Sequence, residues 1–193
     1  ALYRQTERAL EAGLEDLNRE NRGAEAKKAL RAALSDWSKT DLKRETGRHY
    51  DPYWQGLHVT AHVDFAEMLK ELEAKNDASE VGIRLHPDDD RDATRACFVM
   101  ADHPGIFARL SGALALVGAN VVDARSYTTK DGYVTDAFWI QDADEHPFEA
   151  SRLPRLTQMI LKTLNGEVIT GEALESRAKF KKREKAFKVP THI

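Results

Sequence analysis

The sequence predicts an α+β protein in which a helical N-terminal segment precedes a domain that contains a β-sheet. Up to about residue 75, apolar residues recur every three to four positions, which is the spacing of amphipathic helices. From about residue 81, apolar runs typical of strands alternate with helical patterns in the order ββαββα. A charged, helix-prone stretch and a last short apolar run follow, so this second part fits a sheet covered by helices.

The composition limits the classes of protein that the chain can represent. Its 193 residues are 41% hydrophobic and 32% charged, which is enough for one or two domains with apolar cores. The net charge of -3 comes from acidic and basic residues spread along the chain, so we expect neither a nucleic acid nor a membrane as partner. No apolar run approaches the ~20 residues that span a bilayer, and no signal-peptide pattern is visible, so a cytoplasmic location is expected.

Residues 1–78 are expected to form a helical connector. The apolar spacing predicts helices over about 2–17, 26–37 and 57–76. Asp41 is expected to cap a further short helix between the last two. Beyond that helix, Pro52 is expected to block helix continuation. The aromatic residues beside this proline need cover, so we expect the stretch to pack against the helices; they are Tyr50, Tyr53 and Trp54.

Residues 79–193 are expected to form the second domain, with a boundary near residue 78. Its predicted elements are strands at 81–85 and 94–100, a helix at about 104–117, strands at 121–129 and 133–141, a helix at about 148–164, and a last strand at 187–193. Gly132 in Lys130-Asp-Gly132 is a strong hairpin signal, because glycine adopts a positive φ without strain. Apart from the extra N-terminal strand, the order is that of a ferredoxin-like βαββαβ unit, whose last strand we expect to be cut short.

The turn between the second strand and its helix carries the strongest functional signal. Asp102, His103, Pro104 and Gly105 lead into a predicted helix N-terminus, which has unpaired N–H groups and a partial positive charge. These groups attract a carboxylate, whereas Asp102 attracts an ammonium group, so the combination suits a free amino acid. The alternative is an ordinary helix start that Asp102 caps and Pro104 opens. The motif favours a sensor over a catalyst.

The same turn, together with later segments, resembles the ACT domain. The segments that carry the resemblance are Asp102-His-Pro-Gly105, Gly118-Ala-Asn120, Asp123-Ala-Arg125, Thr129-Lys-Asp-Gly132, Asp136 and Phe138-Trp-Ile-Gln-Asp142. Upstream, the extra strand and two helical segments narrow the resemblance to the first ACT domain of bifunctional PII uridylyltransferase/uridylyl-removing enzymes; the segments are Leu30-Arg-Ala-Ala-Leu-Ser-Asp-Trp37 and Arg48-His-Tyr-Asp-Pro-Tyr-Trp54. The basic segment 177–187 is similar to the stretch that leads this family into its second ACT domain.

The resemblance implies a regulatory role and a binding site shared by two ACT units. The implied effector-binding residues are Asp102, Pro104 and Gly105 of one unit and Ala119, Asn120 and Val121 of the other. The implied effector is glutamine. The implied partners are the PII signalling protein, reached through a longer enzyme, and a second ACT domain or another ACT copy.

The resemblance also implies catalytic domains that this sequence does not include. The family carries a nucleotidyltransferase domain with a Gly-Ser signature and a metal-dependent HD hydrolase domain, but the chain has no Gly-Ser and no His-Asp dipeptide. We therefore expect no catalytic residue and no cofactor here, and we expect the Mg or Mn of a parent enzyme to bind elsewhere. Residues 1–78 would then follow the HD domain.

Several other candidate sites have structural explanations. His58 and His62 are four apart on a predicted helix with Asp64 nearby, but this spacing specifies a metal site too loosely, and we assign no metal residue. Cys97, the only cysteine, lies in an apolar run and is expected to be a buried thiol. The paired carboxylates at 88/90 and 142/144 are expected to lie in solvated turns, and the basic residues of 177–188 on a solvated helix.

Two other functions remain open. In the first, the chain is an ACT module of a different amino-acid-controlled enzyme, with serine or phenylalanine as effector. In the second, it is an interaction module in which the ACT fold serves only to dimerise.

Overall fold

A computed structural model describes residues 21–75, 77 and 79–166. In these ranges, helices are followed by a four-stranded antiparallel sheet whose strands alternate with further helices along the chain. This confirms the predicted α+β class. The predicted helix over 2–17, the basic segment and the predicted last strand at 187–193 lie outside the described residues.

The N-terminal part is helical, as predicted. Its helices are residues 21–33 (α1), Lys39–Arg48 (α2), Asp51–Gly56 (α3) and Val59–Lys75 (α4). The expectation that Asp41 caps α2 is wrong: Ser38 is the N-cap, and its side chain accepts a hydrogen bond from the Asp41 N–H at 3.0 Å. Pro52 lies in the first turn of α3, where its missing N–H breaks no helical hydrogen bond.

Four strands form one sheet in the second half of the described chain. They are Gly82–Asp88 (β1), Ala93–Ala101 (β2), Asn120–Thr128 (β3) and Tyr133–Gln141 (β4). The helix Ile106–Leu116 (α5) joins β2 to β3, and Leu153–Leu164 (α6) follows β4. The spatial order is β1-β2-β4-β3, so the predicted extra strand β1 forms one edge beside β2, and β3 forms the other.

The described residues group into two compact units, and each unit contains part of the sheet. The first takes in the residues up to Ile83 together with 97–102 and 125–137. The second takes in 84–96, 103–124 and the residues from Phe138 onward. Each unit is made of several separate segments, so the chain is not divided at one residue. The boundary near residue 78 stays a prediction.

An aromatic cluster forms the core of the first unit. Tyr53 and Trp54 of α3 are 1% and 2% exposed, and their rings meet edge to face at 5.0 Å. His49 stacks on Tyr53 at 3.6 Å, and His62 of α4 lies 4.5 Å from the same ring. Tyr127 of β3 meets Tyr53 edge to face at 5.5 Å. The stretch around Pro52 therefore packs against the helices, as expected, and also against a strand.

In the second unit, Trp139 of β4 contacts the end of β1 and the turn that follows it. The indole Nε1 of Trp139 donates to the Asp88 carboxylate at 2.6 Å, and the Arg91 guanidinium lies 4.0 Å from the same indole ring. Arg91 also pairs with Asp123 of β3 at 2.5 Å. Arg91 therefore contacts both β4 and the edge strand β3.

None of the helices in the described part of the chain has the length and apolar character that crossing a membrane requires.

Replacing Trp54 with alanine should lower the free energy of unfolding by about 3–5 kcal/mol, because it leaves a cavity in the aromatic cluster. Urea denaturation followed by circular dichroism would measure the loss. Tyr50→Ala is the matched control, since Tyr50 immediately precedes α3 but is 56% exposed. Its loss should stay within about 1 kcal/mol. Similar losses for the two variants would contradict the packing of Trp54.

Candidate functional site

The turn between β2 and α5 has the geometry that its Pro-Gly sequence favours. The Ile106 N–H donates to the His103 carbonyl at 3.3 Å, and Gly105 has φ 83° and ψ 4°. These values fit a type II turn with Pro104 and Gly105 at its central positions, where proline fixes φ and glycine accepts a positive φ. Both residues are exposed. The turn therefore faces solvent at the start of α5.

The helix begins two residues later than predicted, and Asp102 does not cap it. Gly105 is the N-cap residue, and no side chain accepts a hydrogen bond from the first turn. Pro104 precedes α5, because the positive φ of Gly105 is incompatible with a right-handed helix. The ordinary-cap explanation of Asp102 is therefore wrong. The N–H groups of Phe107 and Ala108 have neither an intrahelical acceptor nor a capping side chain, and the helix dipole makes this end attractive to an anion.

Arg109 has a structural role that the sequence did not reveal. Its guanidinium donates to the Leu164 carbonyl at 2.6 Å and lies 3.2 Å from Nε2 of His103. The first contact satisfies a carbonyl that the end of α6 leaves open, and the second holds a residue of the type II turn.

Gly118 ends α5, as predicted, in a Schellman arrangement. The Gly118 N–H donates to the Ala115 carbonyl at 3.2 Å, and the Ala119 N–H donates to the Leu114 carbonyl at 3.0 Å. Gly118 has φ 85°, which glycine adopts without strain. Ala119 is buried. This residue can therefore offer a ligand little more than main-chain groups.

Asn120 and Val121 begin β3, and both are exposed. The side-chain nitrogen of Asn120 donates to the Asp142 carbonyl at 3.0 Å. This bond orients the amide against the end of β4. Val121 presents an apolar side chain to solvent.

The parts of the predicted site that belong to the second unit lie at opposite ends of α5. This helix has 11 residues, which at about 1.5 Å per residue make it roughly 16 Å long. The type II turn and the Ala119–Val121 segment are therefore too far apart for one amino acid to touch both. One copy of the domain therefore cannot bring all of the predicted effector-binding residues onto one amino acid.

Large apolar side chains remain exposed in the second unit. Phe107, Val121, Val122 and Met159 are each between 40% and 51% exposed. They come from α5, β3 and α6. Exposed apolar side chains of this size are typical of surfaces that pair with another molecule.

Asp102 belongs to the first unit and directly follows β2. Its side chain is exposed, and its N–H donates to the Gly132 carbonyl at 2.9 Å. This bond places Asp102 opposite the last residue of the β3–β4 turn. Because alternate residues of a strand share a face, Asp136 of β4 lies on the same face of the sheet as Asp102.

Asp136 is a buried carboxyl group in the middle of β4. It has no exposed area, and neither of its oxygens has a hydrogen-bond partner of normal geometry. Burial raises the pKa of Asp136 to about 6; the nearby Ser126 hydroxyl opposes this rise, and the negative charge of Asp102 adds to it. Asp136 is thus the carboxyl group whose ionisation responds to the charge at Asp102.

The described residues contain no group of three or more histidine, cysteine or carboxylate side chains that could hold a metal ion. His62 lies in the aromatic core rather than at its edge, whereas His58 is exposed at the start of α4, with Nδ1 3.1 Å from Thr60 Oγ1. Asp142 accepts hydrogen bonds from the main chain of its own turn. Cys97 is a buried free thiol, as expected.

The sequence also did not reveal a junction between the β3–β4 turn and α2. The Lys130 N–H donates to the Arg48 carbonyl at 2.9 Å, and Lys130 Nζ donates to the Gly47 carbonyl at 2.8 Å. The Arg48 guanidinium pairs with Asp131 at 2.9 Å. A cleft of about 500 Å³ lies beside these contacts and is lined mainly by basic residues. In the sequence, both segments supported the family resemblance, and Lys130-Asp-Gly132 also indicated a hairpin, but no local pattern linked this turn to Arg48.

Known proteins match the chain along its whole length. The family model of the ACT domain matches residues 97–151. The chain is 72% identical over 193 residues to the bifunctional uridylyltransferase/uridylyl-removing enzyme of Ruegeria pomeroyi, and all of the chain covers 21% of that protein. The protein of the same name from Cereibacter sphaeroides is 64% identical over 192 residues, and that from Nitrobacter hamburgensis is 33% identical over 193 residues. In both cases all of the chain is matched and covers 20% of the relative. The chain therefore spans about a fifth of the length of these relatives.

The raised pKa of Asp136 should make the folded state less stable as the pH rises. Between the ordinary value of 3.8 and about 6, the folded chain keeps a proton that the unfolded chain releases. The free energy of unfolding therefore falls through this window, by roughly 3 kcal/mol at most. Asp136→Asn removes this titration, so the variant should gain stability relative to the unmodified chain between about pH 4 and pH 7.

Urea denaturation across this pH range would measure the difference between the two proteins. Asp90→Asn is the matched control, because Asp90 is an exposed carboxylate in the turn between β1 and β2. The free energy of unfolding of Asp90→Asn, plotted against pH, should run parallel to that of the unmodified chain. A parallel curve for Asp136→Asn as well would mean that the burial of Asp136 does not shift its titration.

Proposed function

The chain carries an ACT domain within a stretch that matches bifunctional uridylyltransferase/uridylyl-removing enzymes along its whole length, and we propose that it is a regulatory segment that binds glutamine in such an enzyme. In the proposed cycle, glutamine favours removal of UMP from the PII signalling protein in the cytoplasm. Low glutamine favours uridylylation of PII. The chain itself performs neither reaction.

The observation that carries this proposal is the uncapped start of α5 behind an exposed type II turn. The free N–H groups and the helix dipole suit the α-carboxylate of an amino acid. Asp102 does not cap the helix, so its carboxylate is available to bind the α-ammonium group. A zwitterion has both charges, so these groups together favour an amino acid over a simple anion.

The length of α5 supports a site that two ACT units share. Asp102, Pro104 and Gly105 of one ACT domain would enclose the effector. Ala119, Asn120 and Val121 of the other ACT domain would complete the site. The exposed apolar side chains of the second unit supply a surface for such pairing. The partner in this proposal is a second ACT domain or another copy of this one.

A modest difference in binding is enough for regulation. Glutamine shifts a conformational balance only if it binds one arrangement better than the other. A tenfold shift requires a difference of about 1.4 kcal/mol, which one or two hydrogen bonds supply. The few hydrogen-bonding groups around the type II turn are therefore enough to supply this difference in binding free energy.

The described residues do not fit a catalytic metal, since no cluster of suitable side chains is present among them. The Mg or Mn of the proposed parent enzyme is assigned to other parts of that enzyme. No step of the proposed regulation depends on a metal at this site.

A second candidate is a dimerisation module that binds no effector. The exposed side chains of Phe107, Val121, Val122 and Met159 favour this function, because pairing would cover them. Calorimetry with a panel of amino acids separates the candidates. Heat with glutamine alone supports the first, heat with serine or phenylalanine points to another amino-acid-controlled enzyme, and a dimer without heat supports the second candidate.

In the intact polypeptide that contains this chain, Asp102→Ala should weaken the response to glutamine. Loss of a hydrogen bond to a charged group costs about 1.5–3 kcal/mol, so the glutamine concentration for half-response should rise roughly 10- to 100-fold. Both activities, uridylylation and UMP removal, would be followed while glutamine is titrated. The thermal midpoint without glutamine reports whether the variant is folded.

Asp90→Ala is the matched control for this measurement. Asp90 is also an exposed carboxylate in a turn next to a strand, but it lies between β1 and β2, away from the proposed effector-binding residues in the chain. Its glutamine curve should match that of the unmodified polypeptide. An unchanged curve for Asp102→Ala would remove Asp102 from the site.

A further inference from the structure

We propose that the β3–β4 turn, Lys130-Asp131-Gly132, transmits the state of Asp102 to helix α2. The inference rests on the proposed function, in which Asp102 meets the ammonium group of the effector. It gives the turn a positioning role, since none of its three residues would touch the effector. All of the contacts on which it depends lie within the first unit.

The first contact joins the turn to Asp102. The Asp102 N–H donates to the Gly132 carbonyl at 2.9 Å, directly where β2 ends. Gly132 has φ 86°, so its carbonyl is held in an orientation that other residues reach only with strain. A shift of the Asp102 main chain on binding would therefore act on Gly132.

The turn is short and is fixed at its base. The Thr129 N–H donates to the Tyr133 carbonyl at 2.7 Å, and the Tyr133 N–H donates to Thr129 Oγ1 at 2.9 Å. Thr129 is buried. A three-residue loop closed in this way moves as one body, so a displacement at Gly132 reaches Lys130.

The second contact joins the turn to the end of α2. A helix leaves its last carbonyls without partners, and two of them, those of Gly47 and Arg48, accept hydrogen bonds from Lys130. One donor is its main-chain N–H and the other is its Nζ. The positive charge of Lys130 also lies at the negative end of the helix dipole. A residue 83 positions away from Gly47 thus caps α2.

The third contact carries the connection into α4. The buried Arg48 guanidinium pairs with Asp131 of the turn and with Glu73 of α4, and also with Glu45 one turn earlier in α2. Arg48 and Glu45 are each 4% exposed, whereas Asp131 is 42% exposed. Leaving the buried guanidinium unpaired is costly, so it favours keeping these carboxylates close to it. The turn, α2 and α4 therefore respond together.

Coupling between sites requires an element whose arrangement both sites can bias. Here that element is α2, whose end is bound by the turn on one side and by the buried ion pairs on the other. Binding at Asp102 would change the position of α2 relative to the turn. A variant that weakens only the contact between Lys130 and α2 should then still bind glutamine. Glutamine should, however, change the ratio of the two activities less in this variant.

Lys130→Met tests this in the intact polypeptide. The variant removes the Nζ bond to Gly47 and keeps a side chain of similar length. We expect the affinity for glutamine, measured by calorimetry, to stay within about twofold, and the glutamine-induced change in the ratio of the two activities to shrink roughly three- to tenfold. Hydrogen exchange of the α2 amides should change on glutamine addition in the unmodified polypeptide and change less in the variant. Asp131→Asn, which weakens the pair with Arg48, should act in the same direction.

Lys43→Met is the matched control, because Lys43 lies on α2 and lines the same cleft without bonding to the turn. It should change neither binding nor response. A full response in Lys130→Met would overturn the inference, and so would a parallel loss of binding and response, since Lys130 would then support the site itself. Both results leave glutamine sensing intact. An unmodified polypeptide that binds no glutamine would instead overturn the proposed function and this inference with it.

Discussion

The buried guanidinium of Arg48 is the charge on which the arrangement of the first unit depends. Its side chain is 4% exposed, and it pairs with carboxylates from α2, from α4 and from the β3–β4 turn. Leaving this buried guanidinium without a partner is costly, so its ion pairs link α2, α4 and the turn. The aromatic cluster around Tyr53 adds packing between the helices and β3 in the same unit.

A second constraint comes from the glycines at the ends of α5. Gly105 and Gly118 both have positive φ, and each ends regular structure at a defined residue. The two glycines mark the ends of a helix that is about 16 Å long. A ligand that needs both ends must bring two copies of the domain together. Regulation by such a site is therefore linked to pairing of the domains.

Local patterns in the sequence predicted much of the fold and less of the site. The bounds of β4 were predicted correctly, and Gly132 has the positive φ expected of it, because both depend on neighbouring residues. Contacts between distant segments could not be predicted in this way. Examples are the capping of α2 by Lys130 and the burial of Asp136, which follow from which strands and helices meet in space.

The proposed site depends on main-chain geometry more than on side chains. In the proposal, the N–H groups of α5 and the carboxylate of Asp102 would bind the α-carboxylate and α-ammonium groups, which all amino acids share. These groups would give affinity for the class without a preference for one side chain. Ala119 is buried and would add only main-chain groups, so discrimination would fall to Asn120, Val121 and the other residues of a second copy. Pairing of the domains would then set the selectivity of the proposed site as well as complete it.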